Sequence, residues 1–321
     1  MDVLRAHERH EEGQGRQPSR DRTSPRRQRW YCFRHRPLRP ARGRLDYRHL
    51  PRPQLTLGHG GLILDANSFP HRRRHLGALR NGGAVMPTTD PSRPSVKDIV
   101  NDWSRRTHRA VIFDFNGTLS DDESILLSSF TDLFRKYLGW QMTPEEYSER
   151  LLGHSDREIV ETAVRTHGGG DSVLVDQLLA RHGDRYKKLT AERSPITDSA
   201  AELVAHLARL EVPMAIVTGA QRDDVLGVLN SCSTGEYIDL FVTEEDVEHG
   251  KPNPEGFLKG AALLGVEPQD VLVFEDSVPG IQGALAAGMR CIAVTGENPR
   301  PQVLARGVAT TRRLSADLFD G

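Results

Sequence analysis

Four short apolar runs punctuate the last two thirds of the chain. They are AVIFDF at Ala110–Phe115, MAIVT at Met214–Thr218, VLVFE at Val271–Glu275 and CIAV at Cys291–Val294. Each is brief, rich in β-branched residues and flanked by polar or glycine-containing text. Between them Leu, Val and Ala recur at helical spacing over Ser199–Leu210, Asp223–Leu229, Pro254–Leu264 and Val278–Ala287. Near-continuous apolar strands alternating with helices predict a parallel sheet covered on both faces. Gly280, Gly283 and Gly288 read as small residues that let the last of these helices approach the sheet. Residues 120–195 break the rhythm: no strand is evident, and helices are predicted over Ser124–Tyr137, Pro144–Leu152, Asp156–His167 and Val173–Leu189. That is long for a connection after a first strand. It reads as a helical insert hinged near Leu119–Ser120 and near Ser194–Pro195. Gly168–Gly170 interrupts it without the Lys-Ser/Thr of a nucleotide loop. The C-terminal GENPRPQVLARGVATTRRLSADLFDG reads as one more strand and helix, with Asp317 and Phe319 on the final turn.

Composition changes this picture at one end. The formal net charge is -1, but 24 of the 43 Lys and Arg and only 10 of the 44 Asp and Glu fall in residues 1–109. Residues 1–85 are dense in Arg and Pro and poor in aliphatic residues, so they cannot offset their ordering entropy by burial. A disordered basic tail, or sequence upstream of the true start, is the reading adopted. An arm that binds nucleic acid through charge remains the alternative. Trp30, Tyr31 and Cys32 read as isolated residues of that tail, and Met86 opens more ordinary text. No run approaches the eighteen apolar residues of a spanning helix, and the N-terminus lacks an apolar signal core. Three widely spaced cysteines, Cys32, Cys232 and Cys291, suggest neither a disulfide framework nor a zinc site. A reducing, cytoplasmic setting fits.

The candidate chemistry lies at the strand ends, where open parallel sheets bind ligands. Asp114 lies near the end of the first strand, and Thr218 ends the second, followed by Gly219. Lys251 lies in HGKPNPEGF, before a helix. Glu275 and Asp276 close the next strand. Clustered carboxylates repel unless a cation joins them, and Mg²⁺ prefers oxygen ligands. A lysine neutralises an anionic substrate, a threonine offers a hydroxyl to a phosphoryl oxygen, and backbone N–H groups around Asn116, Gly117 and Thr118 suit an anion. An acid free to attack makes phosphoryl transfer the natural expectation.

FDFNGT, IVTG, GKPNPEGF and VFEDS resemble, in order, the four motifs of the haloacid dehalogenase superfamily, over roughly Arg109–Thr295. EDSVPGIQGALAAGM and GKPNPEGF are most similar to its β-phosphoglucomutase/phosphoglycolate phosphatase-like branch, which carries a helical cap after motif one. The resemblance implies a Rossmann-like parallel-sheet α/β core at 86–119 and 195–321, with a cap at 120–194. It implies Asp114 as nucleophile and Mg²⁺ ligand, the Asn116 backbone carbonyl and Asp276 on the metal with Glu275 bound directly or through water, Thr218 on the transferring phosphoryl group, and Lys251 beside that group and Asp114. A phosphoaspartate on Asp114 would form and be hydrolysed. The substrate class implied is a small phosphorylated metabolite. Oligomeric state is left open.

Asn116 departs from the pattern. The family usually places a second Asp there to give a proton to the leaving oxygen and later take one from water. An amide does not exchange a proton near neutral pH, and such help is commonly worth roughly 10²–10⁴-fold. Three expectations follow: a phosphatase that is slow or has an easy leaving group; replacement of the acid by Asp121, Asp122, Glu123 or His154; or vestigial catalysis in a domain that binds a phosphorylated ligand. Mutase activity is weakened, because a sugar hydroxyl would need a base. Phosphonate cleavage would use a cap lysine, and Lys136 reads instead as solvated. The Glu275–Asp276 pair disfavours metal-free dehalogenation. LLGHSDREI (Leu151–Ile159) resembles the cap loop facing the active site, with His154, Ser155 and Asp156 toward a polar substrate. Asp156, with Arg157 next to it, stands where mutase relatives hold a distal phosphate with arginine, which puts a bisphosphate substrate in doubt. Ser155 and Glu158 also form a capping box.

Overall fold

The computed structural model describes residues 94–297 and 299–320; the expectations for residues 1–85 lie outside them. Six parallel strands form one sheet: β1 Ala110–Phe113, β2 Met214–Val217, β3 Phe241–Val242, β4 Val271–Glu275, β5 Arg290–Val294 and β6 Ala309–Thr311. Their spatial order is β3-β2-β1-β4-β5-β6. Helices α1 (Val96–Ser104), α6 (Asp198–Arg209), α7 (Arg222–Leu229), α8 (Glu255–Leu264), α9 (Val278–Ala286) and α10 (Pro301–Leu304) accompany the sheet. Helices α2 (Glu123–Leu138), α3 (Pro144–Arg150), α4 (Asp156–His167) and α5 (Ser172–Glu192) follow one another between β1 and α6.

The apolar runs lack polar alternation because both faces of the sheet are covered. Val111, Phe113, Ile216, Leu272 and Phe274 pack into the core that includes Trp103, Leu203 and Leu207. Ile112, Val217, Val273 and Cys291 pack with Phe257, Ile281 and Ala284 of α8 and α9 on the other. Phe113 stacks on Phe274 with ring centroids 5.6 Å apart, worth about 0.5–1.5 kcal/mol beyond the area buried. Local chemistry sets the helix starts. Ser155 and Glu158 cap α4 reciprocally, and Thr143 and Glu146 do the same for α3, with Pro144 at its first position.

The first strand stops two residues before its apolar run does. The Asp114 N–H still donates to the Phe274 carbonyl at 2.9 Å, but Thr118 and Ser120 then fold back to donate to the Phe115 carbonyl. The two passes of chain flanking α2–α5 lie side by side: Ser120 bridges Ile196, and the Asp121 N–H donates to the Pro195 carbonyl at 2.9 Å. Two elements escaped the periodicity. β3 has two residues, and α1 buries only Val100 and Trp103. At the C-terminus the helix precedes the strand, and Asp317 and Phe319 occupy a closing turn whose Phe319 ring meets Trp103 edge-on at 5.5 Å. Among the described residues, no helix is long and apolar enough to cross a membrane. Cys232 and Cys291 are free thiols.

Candidate functional site

The order β2-β1-β4 brings three strand ends together, and with them Thr218, Asp114, Glu275 and Asp276. The loop before α8 adds Lys251, whose Nζ lies 2.5 Å from both Asp114 Oδ1 and Glu275 Oε1. Glu275 is wholly buried, and its other oxygen accepts from the Ser277 N–H at 2.7 Å and from the Ser277 hydroxyl at 2.9 Å. Gly280 lets α9 close onto the end of β4, and what it makes room for is this carboxylate: a Cβ there would fall 1.6 Å from Glu275 Oε1. Asp276 accepts from Arg300 Nη2 at 2.7 Å and from the Thr118 hydroxyl at 3.4 Å. Gly117, at φ +77°, passes so close that a Cβ would fall 2.6 Å from Asp276 Oδ2. The Thr218 hydroxyl accepts from the Ala220 N–H at 3.1 Å.

Oxygens of Asp114, Glu275 and Asp276 all lie within 4.8 Å of one another, and all three residues are buried. Lys251 and Arg300 balance only two of the three carboxylates. Burial, reinforced by Glu275 and Asp276, pushes Asp114 well above the usual carboxylate range, with Lys251 opposing. Burial and the Glu275 charge push Asp276 up to about 7. Burial works against the Lys251 charge, but Asp114 and Glu275 outweigh it and hold the ammonium above its ordinary range. Converging, mutually repelling oxygen donors of this kind fit a hard divalent cation, which removes the repulsion that otherwise favours protons.

Asn116 is half-buried, and its side-chain amide is turned toward Asp122. Its Nδ2 donates to Asp122 Oδ2 at 2.8 Å. Asp122, wholly buried, also accepts from the Ser120 hydroxyl at 2.6 Å, the Tyr186 hydroxyl at 2.5 Å and the Gly117 N–H at 3.2 Å. Burial pushes Asp122 up to about 6 against the pull of those four donors.

The helical segment closes the site from above. Gly153, at φ +85°, runs so close to Ser277 that a Cβ would fall 2.5 Å from its Cβ. The Asp156 N–H donates to the Gly219 carbonyl at 3.2 Å. The enclosed cavity is small, about 40 Å³. Asp114, Asn116, Gly117, Thr218, Gly219 and Lys251 line it from below, and Asp276 joins them. His154, Asp156 and Glu123 line it from the helical side, with Tyr147, Leu126 and Ile159 as its apolar wall. A cleft of about 380 Å³ shares Gly153, Thr218, Gly219 and Lys251 with it. Ser155 lines that cleft instead, its hydroxyl accepting from the Glu158 N–H at 3.2 Å. Glu275 and Thr118 lie beneath the floor. Of the candidate acids, Glu123 and His154 reach the cavity, Asp122 stands behind Asn116, and Asp121 is exposed. Lys136 is exposed, its ammonium 5.0 Å from the Tyr137 ring centroid.

Sequence reading missed Arg300, Tyr186 and His182. Arg300 lies 24 residues from Asp276 and Tyr186 lies 64 from Asp122, with no motif to link them. His182 is wholly buried; its Nδ1 meets the Ser129 hydroxyl at 3.0 Å, and burial lowers it to about 4, keeping it neutral.

Comparison with known proteins bears on this geometry. A family model described as haloacid dehalogenase-like hydrolase matches residues 111–294, more than half of the chain. Validoxylamine A 7'-phosphate phosphatase from Streptomyces hygroscopicus subsp. limoneus is 31% identical over 59% of this chain and 86% of its own length. Hexitol phosphatase A from Escherichia coli is 31% identical over 61% of this chain and 87% of its own. The structure of CbbY from Rhodobacter sphaeroides in complex with xylulose-(1,5)bisphosphate superposes with a TM-score of 0.58 at 26% identity, covering 64% of this chain and 95% of that one.

Proposed function

The chain belongs to the haloacid dehalogenase-like hydrolases, in the branch of the β-phosphoglucomutase-like and CbbY-like phosphatases, and from that premise we propose that it is a Mg²⁺-dependent hydrolase of a small phosphomonoester. The observation that carries this reading is Lys251 bridging Asp114 and Glu275 at a buried strand end, with Asp276 beside them. Asp114, the Asn116 backbone carbonyl, Glu275 and Asp276 would hold the metal. Bound there, Mg²⁺ supplies charge neutralisation for a phosphoryl group approaching three carboxylates.

The chain's own groups divide the remaining work. Asp114 attacks phosphorus, and the bond from phosphorus to the leaving oxygen breaks as the bond to the carboxylate forms. Lys251 holds Asp114 in place and offsets charge on the phosphoryl oxygens, and the Thr218 hydroxyl donates to one of them. Water then attacks the phosphoaspartate, returning the carboxylate and releasing phosphate. Asn116 neither supplies nor takes the proton at either step, so turnover is slow or uses an easy leaving group, unless Glu123 or His154 on the cavity wall substitutes. Residues 86–119 and 195–321 act as the core and 120–194 as a cap; the paired passes at Ser120 and Ile196 support this division. The two free thiols support a reducing, cytoplasmic setting.

Phosphate release from p-nitrophenyl phosphate and a panel of sugar and acyl phosphates, with Mg²⁺ or with EDTA, tests the proposal. Wild type should turn over only with Mg²⁺, and Asp114→Asn should lose about a thousandfold or more. Equal rates in EDTA, or in Asp114→Asn, would overturn it. A second reading, a phosphorylated-ligand binder with vestigial catalysis, is favoured by the Asn116 amide being tied to Asp122. Specific binding of a phosphorylated compound without turnover at saturation would select it.

A further inference from the structure

The phosphoryl end of the cavity is provided for, and the far wall is not. Among the described residues, each Lys and Arg near the reacting groups already faces carboxylates, and His154 on the far wall faces Glu158 at 3.5 Å. Lys251 bridges Asp114 and Glu275, and Arg300 reaches Asp276 at 2.7 Å and Glu123 at 3.4 Å. The far wall then carries Asp156 and Glu123. Asp156 is 7% exposed and, among the described residues, has no Lys or Arg within ion-pair distance. Behind it lies His182, a neutral imidazole whose buried Nε2 has no hydrogen-bond partner and sits 3.9 Å from Asp156 Oδ1. That distance is too long for a hydrogen bond, and the neutral imidazole brings no positive charge; a Gln221 backbone N–H is the donor that opposes the burial of Asp156. Burial holds Asp156 well above the usual carboxylate range, and Glu244, Asp224 and Asp122 add to it. The negative charges of Glu244, Asp224 and Asp122 that add to the shift also oppose an incoming anion and favour hydrogen-bond donors.

The adjoining cleft repeats the pattern. Glu244, Glu245 and Glu248 face it on one side, and Glu158 and Glu161 on the other. Its Arg157 already pairs with Asp176 at 3.2 Å and Glu161 at 3.8 Å.

Resting on the phosphatase reading, we infer that the substrate is a monophosphate whose remainder presents hydroxyl or ammonium donors to Asp156 and Glu123 and carries no second anionic group. The phosphoryl group is held at Asp114, Thr218 and Lys251, and the rest of the molecule lies along the acidic wall. A bisphosphate or a phosphorylated sugar acid brings its second charge against that wall with no cation to receive it. This separates the protein from its structural neighbour CbbY, solved with a bisphosphate.

Two readouts test it on the full chain with Mg²⁺. Wild-type kcat/KM is compared for glucosamine-6-phosphate, glucitol-6-phosphate, gluconate-6-phosphate and fructose-1,6-bisphosphate. The same four compounds are titrated calorimetrically into Asp114→Asn. The amine and the polyol should exceed both compounds with a second anionic group by about tenfold or more. Asp156→Asn and Glu123→Gln should each narrow that ratio severalfold. Preference for the bisphosphate or the sugar acid, a ratio unmoved in both variants, or no binding of any of the four overturns the inference. Absent turnover with the same ranking in Asp114→Asn removes the hydrolase reading and leaves the ligand class standing.

Discussion

Asp114 and Asp122 lie eight residues apart, one just past the first strand and the other just before α2, and both are buried, yet they are satisfied in opposite ways. Asp114 faces a cation: Lys251 lies 2.5 Å away and is shared with Glu275. Asp122 faces neutral donors alone, one each from Asn116, Gly117, Ser120 and Tyr186. The first arrangement concentrates charge of both signs where, in the proposed function, a phosphoryl group and a metal would meet. The second ties one loop and the start of α2 to α5 from a single carboxylate. In a medium of low dielectric the two differ in what each loses when a partner goes. An ion pair leaves an uncompensated charge, while a hydrogen-bond hub loses one of several donors to the same acceptor.

Breaking the ionic side should have the largest effect. Lys251→Met leaves Asp114 and Glu275 buried without their cation and should cost about 3–5 kcal/mol. Denaturant midpoints read the stability loss, and turnover should vanish with it. A variant that keeps both stability and turnover would show that the pair does not depend on its lysine.

Joining the two sides should come next. Asn116→Asp brings a carboxylate to within hydrogen-bond distance of Asp122, and two carboxylates that close cannot both ionise. One of them then holds a proton near the leaving group. Turnover should rise by roughly 10²–10⁴-fold, with an added ionisation in the pH–rate profile. An unchanged rate would mean that Glu123 or His154 already supplies the proton, or that chemistry does not limit.

The hydrogen-bonded side can be isolated by pH. Asp122 is held near 6 folded against an ordinary value of 3.8. Between those values the folded chain binds more protons than the unfolded one. Asp122 therefore removes stability as pH rises from about 4 to about 6, by roughly 3 kcal/mol in all. Asp122→Asn should flatten that part of the curve relative to wild type. Parallel curves would show that the hub does not titrate. The smallest effect belongs to a residue outside both: Lys136→Ala should change turnover by less than about twofold, and a large loss would revive a lysine-based mechanism.

Much of this protein was legible from local pattern. The strands at 214–217 and 271–275 and the helix at 156–167 follow from apolar runs, period and caps, which act within a few residues. The two-residue β3 lies below the length at which any period shows. Asp114, Thr218 and Asp276 could be picked from strand-end position and Lys251 from its HGKPNPEGF loop, and they do converge. Arg300 could not, because nothing near it in the chain marks it as the partner of Asp276.

By itself, the sequence determined which residue types stand at the strand ends, in what order, and that the acid expected two places after Asp114 is an amide. Tertiary structure alone decided who partners whom. Asn116 turns toward Asp122 because Tyr186 and Ser120 build a buried acceptor there. Among the described residues Asp156 meets no Lys or Arg, and α4 and α5 bring it a neutral histidine instead. The reason is one of range: propensity and capping act over a turn or a strand, whereas the energy of a buried charge depends on groups that only folding brings within a few ångströms.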